Sequence, residues 1–195
     1  MIFNILFFIS ASYCTQAQVL KDSSTHFGNV SSYQLMDVSK QKNTSISLDN
    51  KPLFLFIFLS PECPLCQNYT QKINDLKKMF GSQLNVYGIV PGKAYSIKEV
   101  ASFENVYHTT FEIFIDPTQK FTHYLQATIT PQAILLDSMG NLIYTGAIDD
   151  WVQAQGKKRL QVSEQFLRNA IEQTMRMEEV KIKKTKVFGC KINDY

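Results

Sequence analysis

The sequence centres on Leu53-Phe54-Leu55-Phe56-Ile57-Phe58-Leu59-Ser60-Pro61-Glu62-Cys63-Pro64-Leu65-Cys66, in which an apolar run leads into two cysteines three positions apart. The seven apolar residues in a row predict a strand that is buried on both faces of a central sheet. After Cys66, apolar residues recur at spacings of three and four as far as Phe80, which predicts an amphipathic helix. The two cysteines therefore stand where a buried strand ends and a helix begins.

The residues on either side of this stretch predict further strands and helices in alternation. In chain order they are short strands at 33–38 and 45–48, a strand at 84–90, a helix at 95–107, a strand at 111–116, a short helix at 117–126, a hairpin of strands 132–137 and 142–146, and a helix from Ser163 with Phe166, Ile171 and Met175 facing inward. Strands joined by helices run parallel, and the hairpin adds antiparallel strands. The pattern predicts an α/β fold with a central mixed β-sheet flanked by helices.

The length of the chain indicates one domain, and its charge does not indicate nucleic acid as a partner. A chain of 195 residues, 45% of them hydrophobic, can bury one core. Its 20 basic and 17 acidic residues nearly balance, so the composition does not indicate nucleic acid as a partner. The late basic runs at 157–159 and 181–184 are typical of solvated faces.

The amino terminus has the layout of a signal peptide. An apolar run from Ile2 to Ile9 precedes small and polar residues up to Ala17, and the first charged side chain is Lys21. The run is too short to span a bilayer, which needs about 20 apolar residues. We expect cleavage after Ala17 and export. Two alternatives are a lipid anchor on Cys14, which would tether the protein to a membrane, and a buried strand of a cytosolic protein.

The two cysteines favour thiol–disulfide exchange because of their place at a helix start. Unpaired backbone N–H groups and the positive end of the helix dipole stabilise a thiolate there, and the pKa of a cysteine can fall from about 8.5 to roughly 3.5–7.5. We expect Cys63 to be the nucleophile and the better shielded Cys66 to resolve the mixed disulfide. Pro64 suits an early helical position, where its missing N–H is not needed.

Other roles for the two cysteines are a structural zinc site, a haem attachment and a structural disulfide. Zinc needs two more ligands, and Cys190 and the three histidines are scattered along the chain. Haem attachment requires a histidine where Gln67 stands. A disulfide between thiols three residues apart removes almost no conformational entropy from the unfolded chain, so it would add little stability. We therefore expect no metal and no cofactor.

Together with the buried strand, Cys63-Pro64-Leu65-Cys66 and the later Thr130-Pro131 resemble the redoxin branch of the thioredoxin superfamily. This branch includes exported thioredoxin-like reductases and the alkyl hydroperoxide reductase/thiol-specific antioxidant proteins. The resemblance covers about residues 33–175 and implies a thioredoxin-like fold. It also implies that Pro131 is a cis-proline beside the dithiol and that Thr130 offers its backbone to a bound substrate strand.

A narrower resemblance concerns three segments near the carboxy terminus. Residues 146–150, 156–159 and 188–192 are similar to those of a bacterial group of exported redoxin proteins with a Gly-x-Ile-Asp-Asp stretch and a final Gly-Cys-x-Ile motif. The expected organisation is a signal peptide at 1–17, a redoxin domain at 18–178, and a carboxy-terminal arm at 179–195. The resemblance implies a location in the periplasm or cell envelope of a bacterium.

The chain departs from both thioredoxins and peroxiredoxins. Ile57 stands where thioredoxins hold a buried acid as proton shuttle, six residues before Cys63, and the aromatic residue of thioredoxins before that cysteine is absent. Glu62 is a candidate for proton transfer, or else a solvated loop carboxylate. Peroxiredoxins bind peroxide with the motif Pro-x-x-x-Thr/Ser-x-x-Cys and a paired arginine. Ser60 fits the hydroxyl position of this motif, but Phe56 replaces its proline. These departures limit what the resemblance implies for the mechanism, and the missing proline makes peroxide reduction the weaker of the two expectations.

Cys190 and the acidic pair Asp149 and Asp150 have several alternative roles. Cys190 is a candidate third redox thiol; otherwise it lies on the arm, packs as a small hydrophobic residue or pairs between chains. Asp149 and Asp150 cap the segment that follows them or bind a cation.

The sequence thus predicts an exported thiol–disulfide oxidoreductase. Its expected partners are a cysteine-containing protein substrate and a thiol electron donor or acceptor, with no nucleic acid. One alternative is a thiol peroxidase that forms a sulfenic acid at Cys63. The other is a copper-binding protein of similar fold that uses both thiolates with a histidine.

Overall fold

The computed structural model describes residues 25–154 and 156–193. The predicted signal peptide and Cys14 lie outside the described residues. Within the described part of the chain, none of the helices combines the length and hydropathy that crossing a membrane requires.

The described chain alternates strands with helices, as its sequence pattern predicts. After a 3-10 turn, the elements are β1 (Leu35–Asp37), β2 (Lys42–Thr44), β3 (Leu53–Phe58), α1 (Pro64–Phe80), β4 (Leu84–Pro91), α2 (Ile97–Tyr107), β5 (Glu112–Asp116), α3 (Lys120–Tyr124), β6 (Ile129–Thr130), β7 (Gln132–Asp137), β8 (Leu142–Gly146), β9 (Val152–Ala154), β10 (Lys157–Lys158), α4 (Phe166–Met175) and β11 (Cys190–Lys191). The βαβ unit β3-α1-β4 and the hairpin β7-β8 are both confirmed.

A seven-stranded mixed sheet forms the centre of the molecule, in the order β2-β1-β5-β4-β3-β7-β8. Strand β3 runs parallel to β4 and antiparallel to β7. The apolar run that contains β3 is at most 2% exposed at every residue from Leu53 to Leu59, which confirms burial on both faces. The α/β thioredoxin-like fold is thereby confirmed.

The two faces of β3 contribute to two separate cores because side chains alternate along a strand. Leu53, Leu55 and Ile57 belong to the core that includes the buried face of α1. Phe54, Phe56 and Phe58 belong to an aromatic core on the other face. This double burial holds the end of β3, and with it the start of α1, in place.

Replacing Phe56 by alanine is expected to reduce the free energy of unfolding by about 3–5 kcal/mol, as large-to-small changes in cores do. The Phe56 ring is fully buried, and it packs edge-on against Phe121 with ring centroids 5.4 Å apart. The measurement is urea denaturation, with Leu160→Ala at a fully exposed side chain as control, where we expect a change within about 0.5 kcal/mol. A loss of less than about 1 kcal/mol for Phe56→Ala would contradict this aromatic core.

Three details differ from the sequence prediction. Residues 45–48 are not a strand; the hairpin closes earlier, with β2 paired to β1, and β1 joins the sheet beside β5. Helix α4 starts at Phe166, three residues after the predicted start at Ser163, whereas α1 starts at Pro64, as the early helical position predicted for this proline requires. In α4, Leu167 and Ala170 are buried with Ile171, while Phe166 and Met175 are only partly covered.

Candidate active site

The two cysteines of the dithiol lie at the point where β3 leads into α1. Cys63 is the residue before the first helical residue and has extended backbone angles, and Cys66 lies within the first turn. Both are free thiols and both are buried, with 1% of Cys63 and 2% of Cys66 exposed. The backbone N–H of Ser60 donates to Cys66 Sγ at 3.4 Å. The structure thus brings the predicted nucleophile and resolving thiol together at the helix start.

The environment of Cys63 strongly favours its thiolate. The largest influence is a hydrogen bond from the Cys66 thiol. Burial acts in the opposite direction and raises the pKa. Hydrogen bonds from the Cys190 thiol and from the backbone N–H groups of Cys66 and Leu65 lower it further, and the net result is a pKa of about 4 for Cys63. The N–H groups are those left unpaired at the helix start. Cys63 therefore carries the negative charge at neutral pH.

Cys66 is held in the opposite protonation state. Burial raises the pKa of the Cys66 thiol well above its ordinary value, and the hydrogen bond and charge of Cys63 raise it further. One thiolate and one thiol in contact are the arrangement in which the first cysteine attacks and the second keeps its proton.

Thr130 lies directly against the dithiol, although it follows Cys63 by 67 positions. The Thr130–Pro131 peptide bond is cis, which confirms that implication of the resemblance. In its thiol form Cys63 donates to the carbonyl oxygen of Thr130, with 3.4 Å between Sγ and O. The structure therefore brings Thr130 to the two cysteines of the predicted exchange centre, and Pro131 follows it through the cis bond. The binding role of Thr130 and Pro131 stays a prediction.

A cavity of about 290 Å³ opens beside Cys63. Tyr95 lines it and forms a hydrogen bond of 2.9 Å between its hydroxyl oxygen and that of Ser60, and it also donates to Glu62 Oε2 at 3.3 Å. Glu62 is exposed at the cavity rim, where a carboxylate can exchange protons with water. No sequence pattern marks Tyr95 as a site residue, because a single aromatic residue in the loop after β4 carries no local signal of a site.

Cys190 reaches the same cavity from the carboxy-terminal arm. Strand β11 pairs antiparallel with β6, so that Cys190 stands opposite Thr130. Burial of the thiol, followed by its hydrogen bond to Cys63 and the charge of Cys63, raises the pKa of Cys190 to about 12. Cys190 as a whole residue is exposed, so the alternative of a small hydrophobic residue packed in the core is wrong.

The acidic pair Asp149 and Asp150 has structural partners. Asp149 is buried and accepts hydrogen bonds from the Tyr69 hydroxyl at 2.5 Å and from Lys72. Asp150 accepts from the backbone N–H groups of residues 163 and 164 at 2.9 and 3.0 Å. Of the two predicted roles, these contacts support capping of the following segment.

The residues around the dithiol bear on the metal and peroxide alternatives. In the ranges 25–154 and 156–193, no group of three or more His, Cys, Asp or Glu side chains is arranged to hold a metal ion. The copper-binding alternative also needs a histidine, and the residues that line the cavity include neither a histidine nor an arginine. The cavity therefore lacks the arginine of the peroxide-binding motif as well.

Comparison with known protein families finds a match to the sequence of this chain. The profile of the AhpC/TSA family matches residues 28–145, more than half of the chain. No curated protein matches the sequence of this chain significantly.

Solved structures are similar in fold at low sequence identity. A hypothetical protein from Sinorhizobium meliloti has a TM-score of 0.72 at 23% identity, with 82% of this chain and 89% of that chain covered. An uncharacterized conserved protein from Geobacillus kaustophilus has a TM-score of 0.75 at 18% identity, with 84% and 88% covered. A secreted disulfide oxidoreductase of Mycobacterium tuberculosis has a TM-score of 0.51 at 13% identity, with 60% and 84% covered. These similarities show the fold.

Proposed function

The chain belongs to the AhpC/TSA family, in the redoxin branch of the thioredoxin superfamily, and from this premise we propose that it is a thiol–disulfide oxidoreductase acting on cysteine-containing proteins. Oxidoreductase chemistry in general comes with the family. The finer proposal is carried by one observation: the pKa of Cys63 is lowered to about 4 while the thiol that lowers it most, Cys66, keeps its proton. This pairing suits disulfide exchange, which needs an attacking thiolate and a second thiol in reach.

The proposed reaction is a sequence of two thiolate attacks. The Cys63 thiolate attacks one sulfur of a substrate disulfide, so that a mixed disulfide forms and the other substrate sulfur leaves as a thiolate. Cys66 then loses its proton and attacks Cys63 Sγ, which releases the substrate thiol and leaves the Cys63–Cys66 disulfide. Once Cys63 is in the mixed disulfide its negative charge is gone, and with it one cause of the high pKa of Cys66. Glu62, at the cavity rim, is the proposed proton acceptor.

The reverse reaction, oxidation of substrate thiols, uses the same groups. A thiol electron donor or acceptor would then regenerate the dithiol or the disulfide. The signal-like segment at 1–17 supports a location in the periplasm or cell envelope of a bacterium, where disulfides persist. Lipidation of Cys14 in place of cleavage would add a membrane tether.

The Cys63–Cys66 couple is expected to have a reduction potential at the oxidising end of the range for this fold, which runs from about −270 to −120 mV. The reason is that the stabilised thiolate of Cys63 exists only in the reduced protein. The measurement is equilibration with glutathione mixtures, followed by alkylation and mass spectrometry, in the natural protein and in Cys190→Ser.

Two results of this titration would speak against the proposal in different ways. A potential near the reducing end would contradict the acidity of Cys63 but leave exchange chemistry in place. If Cys63 and Cys66 never form a disulfide with each other, the proposed function fails, and metal binding becomes the function to test.

A thiol peroxidase is the second candidate, because the family includes alkyl hydroperoxide reductases and Cys63 is an acidic thiol with Ser60 nearby. In that reaction the Cys63 thiolate takes an oxygen from the peroxide, becoming a sulfenic acid and releasing an alcohol or water. Rapid peroxide consumption with a trapped sulfenic acid at Cys63 would favour it over disulfide exchange.

A further inference from the structure

Strand β11 lies along the backbone of Thr130, which the family resemblance assigns to a bound substrate strand. Cys190 stands opposite Thr130 and Lys191 opposite Ile129, in antiparallel register. The pairing continues with a hydrogen bond of 2.9 Å from the N–H of Ile192 to the carbonyl oxygen of Thr128. Main-chain pairing of this kind is how an extended peptide adds to an exposed strand edge.

Gly189 allows this close approach. A Cβ atom at this position would lie 2.0 Å from the carbonyl oxygen of Thr130 and 2.8 Å from its carbonyl carbon. Both are backbone atoms, which cannot turn aside as the end of a flexible side chain can. Any larger residue here must move β11 away from β6.

The arm also covers the nucleophile. Only 1% of Cys63 is exposed, although a cysteine that attacks protein substrates must be reached from outside. The cavity beside Cys63 is lined on the arm side by Cys190 and the three residues that follow it. At the far end of this segment, Gln119 Nε2 donates to the backbone oxygen of Asn193 at 2.8 Å. A cysteine-containing strand thus fills the position next to Cys63.

We propose that the carboxy-terminal arm is an internal substrate of the dithiol: β11 occupies the place of a substrate strand at Thr130, and Cys190 exchanges disulfides with Cys63. This inference rests on the proposed function and specifies its substrate class. An external substrate is then an extended polypeptide segment that pairs antiparallel with β6, carries its cysteine opposite Thr130, and displaces the arm.

The exchange step balances without a further oxidant. When Cys63 is bonded to Cys66 or to a substrate sulfur, Cys190 loses its proton and attacks Cys63 Sγ. The Cys63–Cys190 bond forms, the earlier sulfur–sulfur bond breaks, and Cys66 or the substrate leaves as a thiolate that takes up a proton. Formation of the bond at Cys63 also removes the thiolate charge that helps to keep Cys190 protonated.

The decisive experiment uses the full chain with Cys66→Ser and glutathione disulfide as oxidant. Glutathione disulfide converts Cys63 into a mixed disulfide and releases one glutathione; Cys190 then displaces the second glutathione. We expect mass spectrometry to show a Cys63–Cys190 disulfide that forms at a rate independent of protein concentration, as an intramolecular step requires. A persistent glutathione adduct on Cys63 with a free Cys190 would overturn the inference, while the Cys63–Cys66 couple of the natural protein tests the proposed function separately.

Three variants in the Cys66→Ser background separate docking of the arm from chemistry. Cys66→Ser/Cys190→Ser must retain the glutathione adduct on Cys63. Gly189→Val keeps every thiol but prevents close pairing, so ring closure is expected to slow by about a hundredfold, the scale that misplacement of reacting groups produces. Ile192→Pro removes the N–H that Thr128 accepts and serves as an independent test of docking. An unchanged rate of Cys63–Cys190 disulfide formation in both docking variants would contradict the proposal that β11 binds in the place of a substrate strand.

Discussion

Replacing Cys63 by serine is expected to reduce catalysed disulfide exchange with a protein substrate by at least about a thousandfold, to the rate without the protein. Serine fits the buried position, but its hydroxyl is no nucleophile toward disulfides. We expect no other described thiol to replace it, because burial, the largest cause of the raised pKa of both Cys66 and Cys190, does not depend on the Cys63 charge. The measurement is the rate at which a reduced, unfolded protein regains its disulfides with glutathione disulfide present.

The matched variant Cys66→Ser separates the two thiols. It keeps the first attack, so we expect a mixed disulfide on Cys63 to form. Catalytic turnover should then be limited by the second attack, which falls to Cys190 or to an external thiol. Cys63→Ser and Cys66→Ser should both retain the circular dichroism spectrum of the natural protein. Equal activity of Cys63→Ser and the natural protein would exclude the proposed mechanism.

Alkylation of Cys63 by iodoacetamide is expected to be nearly independent of pH above about pH 5 and to fall only as the pH drops through about 4. A depressed pKa means that the thiolate is present above that value and is lost below it; the pKa of Cys63 is lowered to about 4. The alkylation rate of an ordinary thiol with a pKa near 8.5 falls about five-hundredfold between roughly pH 8.5 and 5.5, because only its thiolate reacts.

The same profile in Cys190→Ala tests one cause of the low pKa. Removing a thiol that donates to Cys63 should move the inflection to higher pH. Cys63→Ser must show no alkylation below about pH 6, where ordinary thiols are protonated. A profile that inflects near 8.5 in the natural protein would contradict the acidic thiolate at the start of α1.

Both predictions depend on a part of the molecule that local sequence patterns describe well. The apolar run at 53–59 and the periodicity after Cys66 predicted a buried strand followed by a helix, and the structure has both. Such patterns are reliable because a strand buried on both faces can contain only apolar residues, and a helix with one buried face must repeat near every 3.6 residues. The family resemblance added the cis-proline, which no local pattern predicts.

Polar and short elements were harder to predict. The second strand of the first hairpin was placed at 45–48 instead of Lys42–Thr44. Strand β2 has no buried residue, so it carries no alternation of apolar and polar residues to mark it. Its pairing depends on β1, which in turn needs the edge of β5.

The sequence alone predicted the redoxin fold and the place of the dithiol at a helix start. It also predicted that Cys63 attacks first and that Cys66 resolves the mixed disulfide. Only the tertiary structure shows that Cys190 lies opposite Thr130, that Tyr95 lines the cavity and that Asp149 has hydrogen-bond partners. The physical reason is the range of the contacts. Helix starts and buried strands are specified by neighbouring residues. Cys190 and Thr130 lie 60 positions apart and meet only because the fold brings the arm beside β6, where Gly189 allows a close approach.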